Sequence, residues 1–299
     1  MRGLSLVELM VSIAIGLVIT IAVVSSYIGS LGATRVAEAQ VRMNEDAQAA
    51  LAILGQTIRM AGNNPKQQDY ATDSPRNPIT TTFIIRGCDG TFGNIDLAAT
   101  YDALTCAGSG GPDSIAVRYE ADRYNTVPNT AGGLPTDCLG QDLPVLTGKA
   151  FKNPTPSVES DVTYTVADNR FYVTSTASLS PGLYCKGNGN ANGQRLVENV
   201  EDLQFEYGTA PIAATSSLTV AGYIGATAVD ALSLTFSDNW SKVLTVRICV
   251  LIRSEEAVAP DTASAGYTQC NGTANNSPPD LRLRRAYSTT VLLRNRQSL

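Results

Sequence analysis

Two consecutive stretches at the start of the chain carry their apolar residues in different patterns. From Leu4 to Ile28 there are 25 residues, and Glu8 is the only charged one. A helix of that length spans about 37 Å, which is enough to cross a bilayer with some tilt. The pattern therefore predicts a membrane-spanning helix with one acidic residue near its start.

Beyond Arg35 the apolar residues recur at spacings of three, four and seven, which is the pattern of one helix face. They are Val36, Met43, Ala47, Ala50, Leu51, Leu54 and Ile58. No proline occurs before Pro65, and a glycine at position 62 shortly before that proline is a typical helix stop. We therefore predict one continuous helix from about Leu4 to Ala61, roughly 87 Å long.

The remainder of the chain is rich in loops and contains six strand-like runs. These are Ser114–Tyr119, Val162–Val166, Phe171–Thr176, Leu203–Tyr207, Val243–Ile252 and Ala286–Leu293. Their β-branched and aromatic content favours an antiparallel sheet. The predicted fold class is α+β, with one long helix followed by a β-rich head.

Composition narrows the functional classes. The chain of 299 residues has a net charge of -5 and no histidine. An acidic balance argues against nucleic acid as a partner, because phosphate binding needs a basic surface. Lack of histidine removes the commonest metal ligand and general base. With no nucleophile beside a recognisable base, we predict a protein without catalytic residues, metal or cofactor.

Six widely spaced cysteines behind a hydrophobic N-terminus predict disulfides formed in an oxidising compartment. They are Cys88, Cys106, Cys138, Cys185, Cys249 and Cys270, and none forms a C-x-x-C pair. Six cysteines allow 15 pairings. Pairing of sequence neighbours is the simplest hypothesis, and buried free thiols are the alternative.

Three ordinary explanations compete for the apolar start. A cleaved signal peptide is one, and an Ala37-Glu38-Ala39 site exists about ten residues beyond the apolar run. A plain membrane anchor would not need Glu8, and chance is the third explanation. A carboxylate within a bilayer costs free energy, less so near an end, and such residues are functional by default.

The stretch Gly3-Leu4-Ser5-Leu6-Val7-Glu8-Leu9 resembles the processing signal of the type IV pilin and pseudopilin family. The resemblance implies that a prepilin peptidase cuts after Gly3 and that the new N-terminus at Leu4 is methylated. It also implies that Glu8 pairs with the N-terminal amine of a neighbouring subunit, which neutralises both charges in a low-dielectric bundle. Leu4 departs conservatively from the phenylalanine usual in the family.

Five further blocks resemble the PilW branch of minor pilins. They are residues 56–62 with the sequence QTIRMAG, residues 111–114, the LVENVEDLQFEYG segment of 196–208, residues 240–254 and residues 284–295. Residues 66–112, 121–160 and 209–239 are divergent. The resemblance implies the type IV pilin fold, in which the apolar half of the helix protrudes and the amphipathic half packs on an antiparallel head.

The implied organisation is a leader at 1–3, a membrane and filament-core helix at 4–28, its amphipathic continuation at 29–62 and a disulfide-containing head at 63–299. The basic N-terminus would stay in the cytoplasm and the head would lie outside the inner membrane, later in the surface pilus. Implied partners are other minor pilins, the major pilin, the prepilin peptidase, the inner-membrane assembly platform and a tip adhesin. The implied function is priming of pilus assembly within a minor-pilin tip complex, supporting twitching motility and adhesion.

Two other classes of function stay open. A minor pseudopilin of type II secretion shares the N-terminus and a related head. A secreted or anchored enzyme or adhesin with a signal-like N-terminus is the third class.

Three other features carry weaker signals. The glycine-rich segment 187–193 lacks the ending of a phosphate loop and predicts a flexible surface turn. The arginines near the C-terminus favour solvated strand ends or subunit salt bridges over DNA binding. The acidic residues of 96–113 lack the spacing of an EF-hand, so calcium binding is a weak hypothesis.

Overall fold

A computed structural model describes residues 5–63, 84–95, 101–108, 110–130, 132–151, 159–176, 179–189, 192–211, 219–233 and 236–295. Its first element is helix α1 (Leu6–Met60), a single helix of 55 residues. The prediction of one continuous helix is therefore confirmed. Gly62 ends it with φ +70°, and a Cβ there would lie 2.6 Å from the carbonyl oxygen of Asn295, so only glycine fits this stop.

Two antiparallel sheets form the head. The first sheet contains β1 (Ile85–Cys88), β2 (Ser114–Ala121), β3 (Val145–Phe151), β4 (Glu159–Thr176), β5 (Leu179–Lys186) and β6 (Gln194–Glu198). Its order is β1-β2-β4-β5-β6, with β3 paired to the first half of β4. The second sheet contains β7 (Val200–Thr209), β8 (Gly222–Ile224), β9 (Val243–Ala257) and β12 (Arg282–Leu292), in the order β12-β9-β7-β8. The α+β class is thus confirmed.

Short elements complete the described head. They are a 3-10 turn at Tyr101–Ala103, helices α2 (Ala226–Asp230) and α3 (Phe236–Ser241), and a two-stranded hairpin of β10 (Tyr267–Thr268) and β11 (Ala274–Asn275). All six predicted strand runs fall on observed strands, although the runs at 162–166 and 171–176 are parts of one strand, β4. The sequence patterns missed β1, β3, β5, β6 and β8, which are short or interrupted by glycine and charged residues.

The core lies where the two sheets and the amphipathic half of α1 meet. Trp240 and Tyr207 are fully buried there and pack edge to face, with ring centroids 5.0 Å apart. A Cβ at Gly87 would overlap the Tyr207 hydroxyl, so β1 can pass this close to β7 only with glycine at that position. The close approach ties the first sheet to the second.

Asp113 joins the sheets through backbone hydrogen bonds. Its carboxylate accepts from the amides of Gly90 (3.1 Å) and Phe205 (2.8 Å), and its own amide donates to the Leu203 carbonyl. Burial raises the pKa of Asp113 to about 7, while the two amide donors oppose that change. Asp113 is therefore a structural acceptor shared by β7 and the loop after β1.

All six cysteines are in disulfides: Cys88–Cys106, Cys138–Cys185 and Cys249–Cys270. This is the pairing of sequence neighbours. Each bond fixes a connecting segment to a strand, since Cys88, Cys185 and Cys249 lie on β1, β5 and β9. The loops that connect strands of the head are thus held covalently.

Candidate assembly surface on the N-terminal helix

The apolar half of α1 projects from the head without cover. Every described residue from 5 to 35 is exposed, including large side chains such as Leu6, Ile13, Leu17 and Ile21. Among the described helices, α1 alone is long and apolar enough to cross a membrane. So large an exposed apolar surface marks a site of contact with lipid or with other proteins.

Two hydroxyl groups within this half donate to carbonyls of the helix itself. Ser12 donates to the carbonyl of Glu8 at 2.7 Å, and Thr20 donates to that of Gly16 at 2.7 Å. Hydroxyls that bond the preceding turn need no partner from the surroundings. The segment is therefore suited to an environment without water.

Glu8 closes the first turn of α1. Its carboxylate accepts from the backbone amide of Ser5 at 3.0 Å, and the Ser5 hydroxyl accepts from the backbone amide of Glu8 at 3.2 Å. This reciprocal arrangement is a capping box, and the negative charge lies at the positive end of the helix dipole. The other two processing residues, Gly3 and Leu4, lie outside the described residues. Glu8 thus has a partner within its own chain in the isolated subunit.

The amphipathic half of α1 packs on the head through a stripe of small and medium side chains. Its buried members are Met43, Ala47, Ala50, Leu54, Gly55 and Ile58. Small residues alternate with larger ones, so the helix lies close against β9 and β12 of the second sheet. Val291 of β12, for example, lies 3.6 Å from the place a Gly55 Cβ would occupy. The amphipathic stripe predicted from the sequence is the observed contact face.

Four polar contacts border this stripe. The Tyr287 hydroxyl donates to Asn44 Oδ1 at 2.6 Å, and the Asn295 amide donates to the carbonyl of Arg59 at 3.1 Å. Asn199 Nδ2 donates to Asp46 Oδ2 at 3.4 Å, and an exposed ion pair joins Arg42 to Glu255 at 3.1 Å. The contacts fix the rotation of the helix on the sheet, because each pairs one helix position with one head position.

Asn199 lies where the first sheet, the second sheet and helix α1 meet. It is the residue between β6 of the first sheet and β7 of the second, and it has φ +60°, which is unique among the described non-glycine residues. Asparagine tolerates this left-handed conformation better than most residues do. Its side chain contacts the helix, and its carbonyl accepts from the Arg253 amide.

A charged cleft of about 280 Å³ opens where α1 leaves the head. Its charged lining is Arg35, Glu38, Arg42, Glu45, Asp46, Glu198, Arg253, Glu255 and Glu256. Burial raises the pKa of Asp46, the bond from Asn199 opposes the change, and the carboxylates of Glu198, Glu45 and Glu255 raise it further. Acidic groups thus collect at the point where the helix enters the head.

Two weaker sequence expectations take a different form in the structure. The segment expected to be a flexible surface turn is packed in its described part, because Gly187 and Gly189 are buried against Asp137. Asn188 bonds the carbonyl of Val166 and the amide of Asp168, and so it extends the sheet beside β4.

Arg284 of the C-terminal basic patch is also internal. It pairs with Glu201 at 2.5 Å and with Asp280 at 2.7 Å, so neither DNA nor another subunit is needed to satisfy its charge.

The acidic segment 96–113, considered for calcium binding, is described only in part, since residues 96–100 and 109 lie outside the described residues. Within the described ranges, no group of three or more Cys, Asp or Glu side chains is placed to hold a metal ion.

Comparison with known families adds an independent finding. Residues 170–295 match the family model PilW, described as Type IV Pilus-assembly protein W. This region, 126 of the 299 residues of the chain, is similar to the PilW family. It contains the whole second sheet and strands β5 and β6 of the first, and three of the five resembling blocks fall within it. No curated protein and no solved structure matches the chain.

The PilW match supports a protein related to type IV pilus assembly. Its family description concerns assembly and names no catalytic activity. One N-terminal helix suited to a bilayer fits a membrane-anchored assembly component. Helix α1 and residues 63–169 lie outside the match, so the N-terminal features rest on their own geometry.

No local sequence pattern identifies several contact residues of this surface. Tyr287 bonds Asn44 and Asn295 bonds the carbonyl of Arg59, in each case across more than two hundred positions of the chain. Asn199 does carry a local signal, because an asparagine between two strand-like runs is a typical turn residue.

Proposed function

We propose that the chain is a minor pilin of a type IV pilus, which primes assembly within a minor-pilin complex at the tip. Residues 1–3 are its leader, 4–28 its membrane and filament-core segment, 29–62 the continuation of the helix and 63–299 its extracytoplasmic head. Before assembly it sits in the inner membrane with its N-terminus in the cytoplasm, and it later joins the surface pilus. Other pilins and the assembly platform are its partners. Its work is association rather than chemistry.

One observation carries this proposal: a single helix is bare and apolar in its first half and packed on a head in its second. A cleaved export signal would not be expected to form one continuous helix with residues of the core of the mature protein. Helix α1 makes most of its contacts with the head to β9 and β12, so cleavage after Ala39 would leave the buried stripe attached but remove the projecting half. The PilW match of the head agrees with a retained filament helix.

Glu8 gives the proposal its sharpest test, because two roles make different demands on its side chain. As a cap it needs an oxygen that accepts from the Ser5 amide, and glutamine supplies one. As the group that pairs with the N-terminal amine of a neighbour it needs a negative charge, which glutamine lacks. Glu8→Gln therefore separates capping from pairing between subunits.

The experiment measures incorporation of Glu8→Gln, Glu8→Ala and Ser5→Ala into pili sheared from cells. We expect both Glu8 variants to be cleaved and anchored but incorporated about tenfold less, since loss of one partner from a desolvated charge pair costs more than 1.4 kcal/mol. Ser5→Ala, which removes only half of the capping box, should assemble normally. Normal incorporation of Glu8→Gln would contradict pairing between subunits.

Deletion of the gene separates the pilus from the related secretion machinery. A minor pilin predicts loss of surface pili and of twitching motility with protein secretion intact. Loss of secretion with normal pili would favour a pseudopilin.

A further inference from the structure

Among the described strands of the head, β3 forms an edge that lacks the usual protection against pairing. We propose that β3 (Val145–Phe151) is a docking edge that takes up an extended strand from a different subunit of the pilus. The inference rests on the proposed function. Among the described strands β3 pairs with β4 alone, and no other described backbone hydrogen bond involves it. Its outer row of amides and carbonyls is therefore available to an added strand.

The ribbon made by β3 and β4 also extends beyond the rest of the sheet. Strand β2 pairs with β4 from Thr165 onward, whereas β3 pairs with β4 from Glu159 to Thr165. Residues 159–164 thus belong to a ribbon of only two described strands. A two-stranded ribbon is marginally stable in water, and a third strand is what ordinarily stabilises it.

Other edges of the two sheets carry protection that β3 lacks. β12 carries three arginines at 282, 284 and 285 together with a register shift, and β6 is five residues long and contains a bulge at Leu196. β1 and β8 have four and three residues. β3 has seven residues in unbroken register, and Lys149 is its only charged residue. Charges, bulges and short length are the usual means of keeping an edge from pairing, so β3 is built to pair.

Exposed apolar side chains are frequent on β3 and in the segment that precedes it in the chain. Outside α1, the described large apolar residues that are exposed are Tyr124, Val127, Leu134, Val145, Leu146, Leu281 and Leu292. The first five lie on β3 or on the segment that joins β2 to it. Val127 is 81% exposed and Val145 57%. An added strand would lie beside this group and cover part of it.

The geometry of a filament argues that the occupant is not β3 of a second copy. Two copies of one edge pair antiparallel about a two-fold axis, which is an isologous contact. Subunits whose N-terminal helices run in the same direction along a filament are related head to tail, and their contacts are heterologous. Pairing of β3 with β3 is thus excluded, and the exposed apolar side chains on and next to β3 in the chain suit an extended, mainly apolar segment, which the proposal assigns to a different pilus subunit.

A pair of lysine substitutions tests the edge in the full-length protein expressed in its own cells. Val145→Lys with Leu146→Lys places two charges on β3. The matched control is Leu292→Lys with Leu281→Lys. Leu292 is 55% exposed, close to the 57% of Val145, and Leu281 and Leu146 are both 37% exposed. We expect the β3 variant to enter sheared pili about tenfold less than the control variant, with unchanged thermal unfolding of the purified protein in detergent.

Photo-cross-linking identifies the occupant. A benzophenone amino acid at position 146 should give an adduct, and its peptide should map to an extended segment of another chain with a prepilin-type N-terminus. The same probe at position 292 should not give that adduct. No adduct from position 146, an adduct with a second copy, or equal incorporation of the two lysine variants would overturn the proposal.

These outcomes are distinct from failure of the proposed function. If the chain were not a pilin, neither lysine variant nor the unaltered protein would be found in sheared pili. If the protein is present there and the β3 variant is incorporated as well as its control, only the docking edge is wrong.

Discussion

The two halves of α1 contain similar residues in opposite surroundings. Leu17 is 59% exposed, whereas Leu54, ten turns along the same helix, is completely buried. The difference lies in what covers each half, since the second half packs on β9 and β12 and the first half is exposed at every described residue from 5 to 35.

This contrast shows that the chain is built to be completed by something outside it. The second half obtains its free energy of burial from the head, at about 25 cal/mol for each Å² of apolar surface removed from water. The first half has the same apolar chemistry and no such partner in the isolated subunit. A bilayer before assembly, and neighbouring helices afterwards, would supply that burial.

The largest expected effect comes from truncating one leucine in each half. Leu54→Ala should lower the free energy of unfolding of the head by about 2–5 kcal/mol, because it leaves a cavity in a packed core. Leu17→Ala should change it by less than about 0.5 kcal/mol, as exposed substitutions do. Urea unfolding of the full-length protein in detergent, followed by fluorescence of the single tryptophan, Trp240, measures both. Equal effects would mean that the two halves do not differ as described.

The joint at Asn199 should give the next largest effect. Asn199→Ala loses the bond to Asp46 and forces an unfavourable left-handed backbone, which costs roughly 1–2 kcal/mol. Asn199→Gly is the matched control, because it loses the same amide but tolerates φ +60°. The glycine variant should therefore unfold at a higher urea concentration than the alanine variant, and the reverse order would exclude backbone strain as the cause.

A smaller effect is expected at Tyr287. Tyr287→Phe removes the hydroxyl that donates to Asn44 and should cost about 1 kcal/mol, the usual net value of one hydrogen bond. Asn44→Ala should cost a similar amount, and the double variant should cost little more than either single one. Fully additive losses in this double-mutant cycle would show that the two side chains do not act together.

The smallest effect is a change in pH dependence from Asp46. Its pKa is raised in the folded state, so the neutral carboxyl contributes stability below the ordinary value of 3.8, and this contribution is lost as pH rises through the folded pKa. Asp46→Asn keeps an acceptor for Asn199 but cannot ionise. Relative to the unaltered protein, its unfolding midpoint should increase as pH rises from below 3.8 through the raised pKa of Asp46. A parallel pH profile for the two proteins would contradict a destabilising charge at this position.

Periodicity was sufficient to predict α1, because a helix face repeats locally and the buried stripe runs through consecutive turns. The glycine stop at Gly62 was also readable from sequence. Strands such as β3 and β5 could not be predicted from the sequence, because glycine or proline interrupts their apolar pattern. Their pairing also depends on distant segments.

The assembly surface could be predicted only in outline. Glu8 stood out because an isolated charge in an apolar run is costly. Its capping bond to Ser5 follows a known local spacing, yet the contacts from Asn44 to Tyr287 and from Asp46 to Asn199 depend on the tertiary fold. That β3 pairs only with β4 among the described strands depends on the tertiary fold, which no local pattern reports.

The most direct test of the central claim is the mass of the N-terminal peptide of protein purified from sheared pili. The account predicts a chain that starts at methylated Leu4 and retains the whole of α1. A chain that starts after Ala39 would mean that the projecting half is removed as an export signal, and the assembly role of Glu8 would be contradicted.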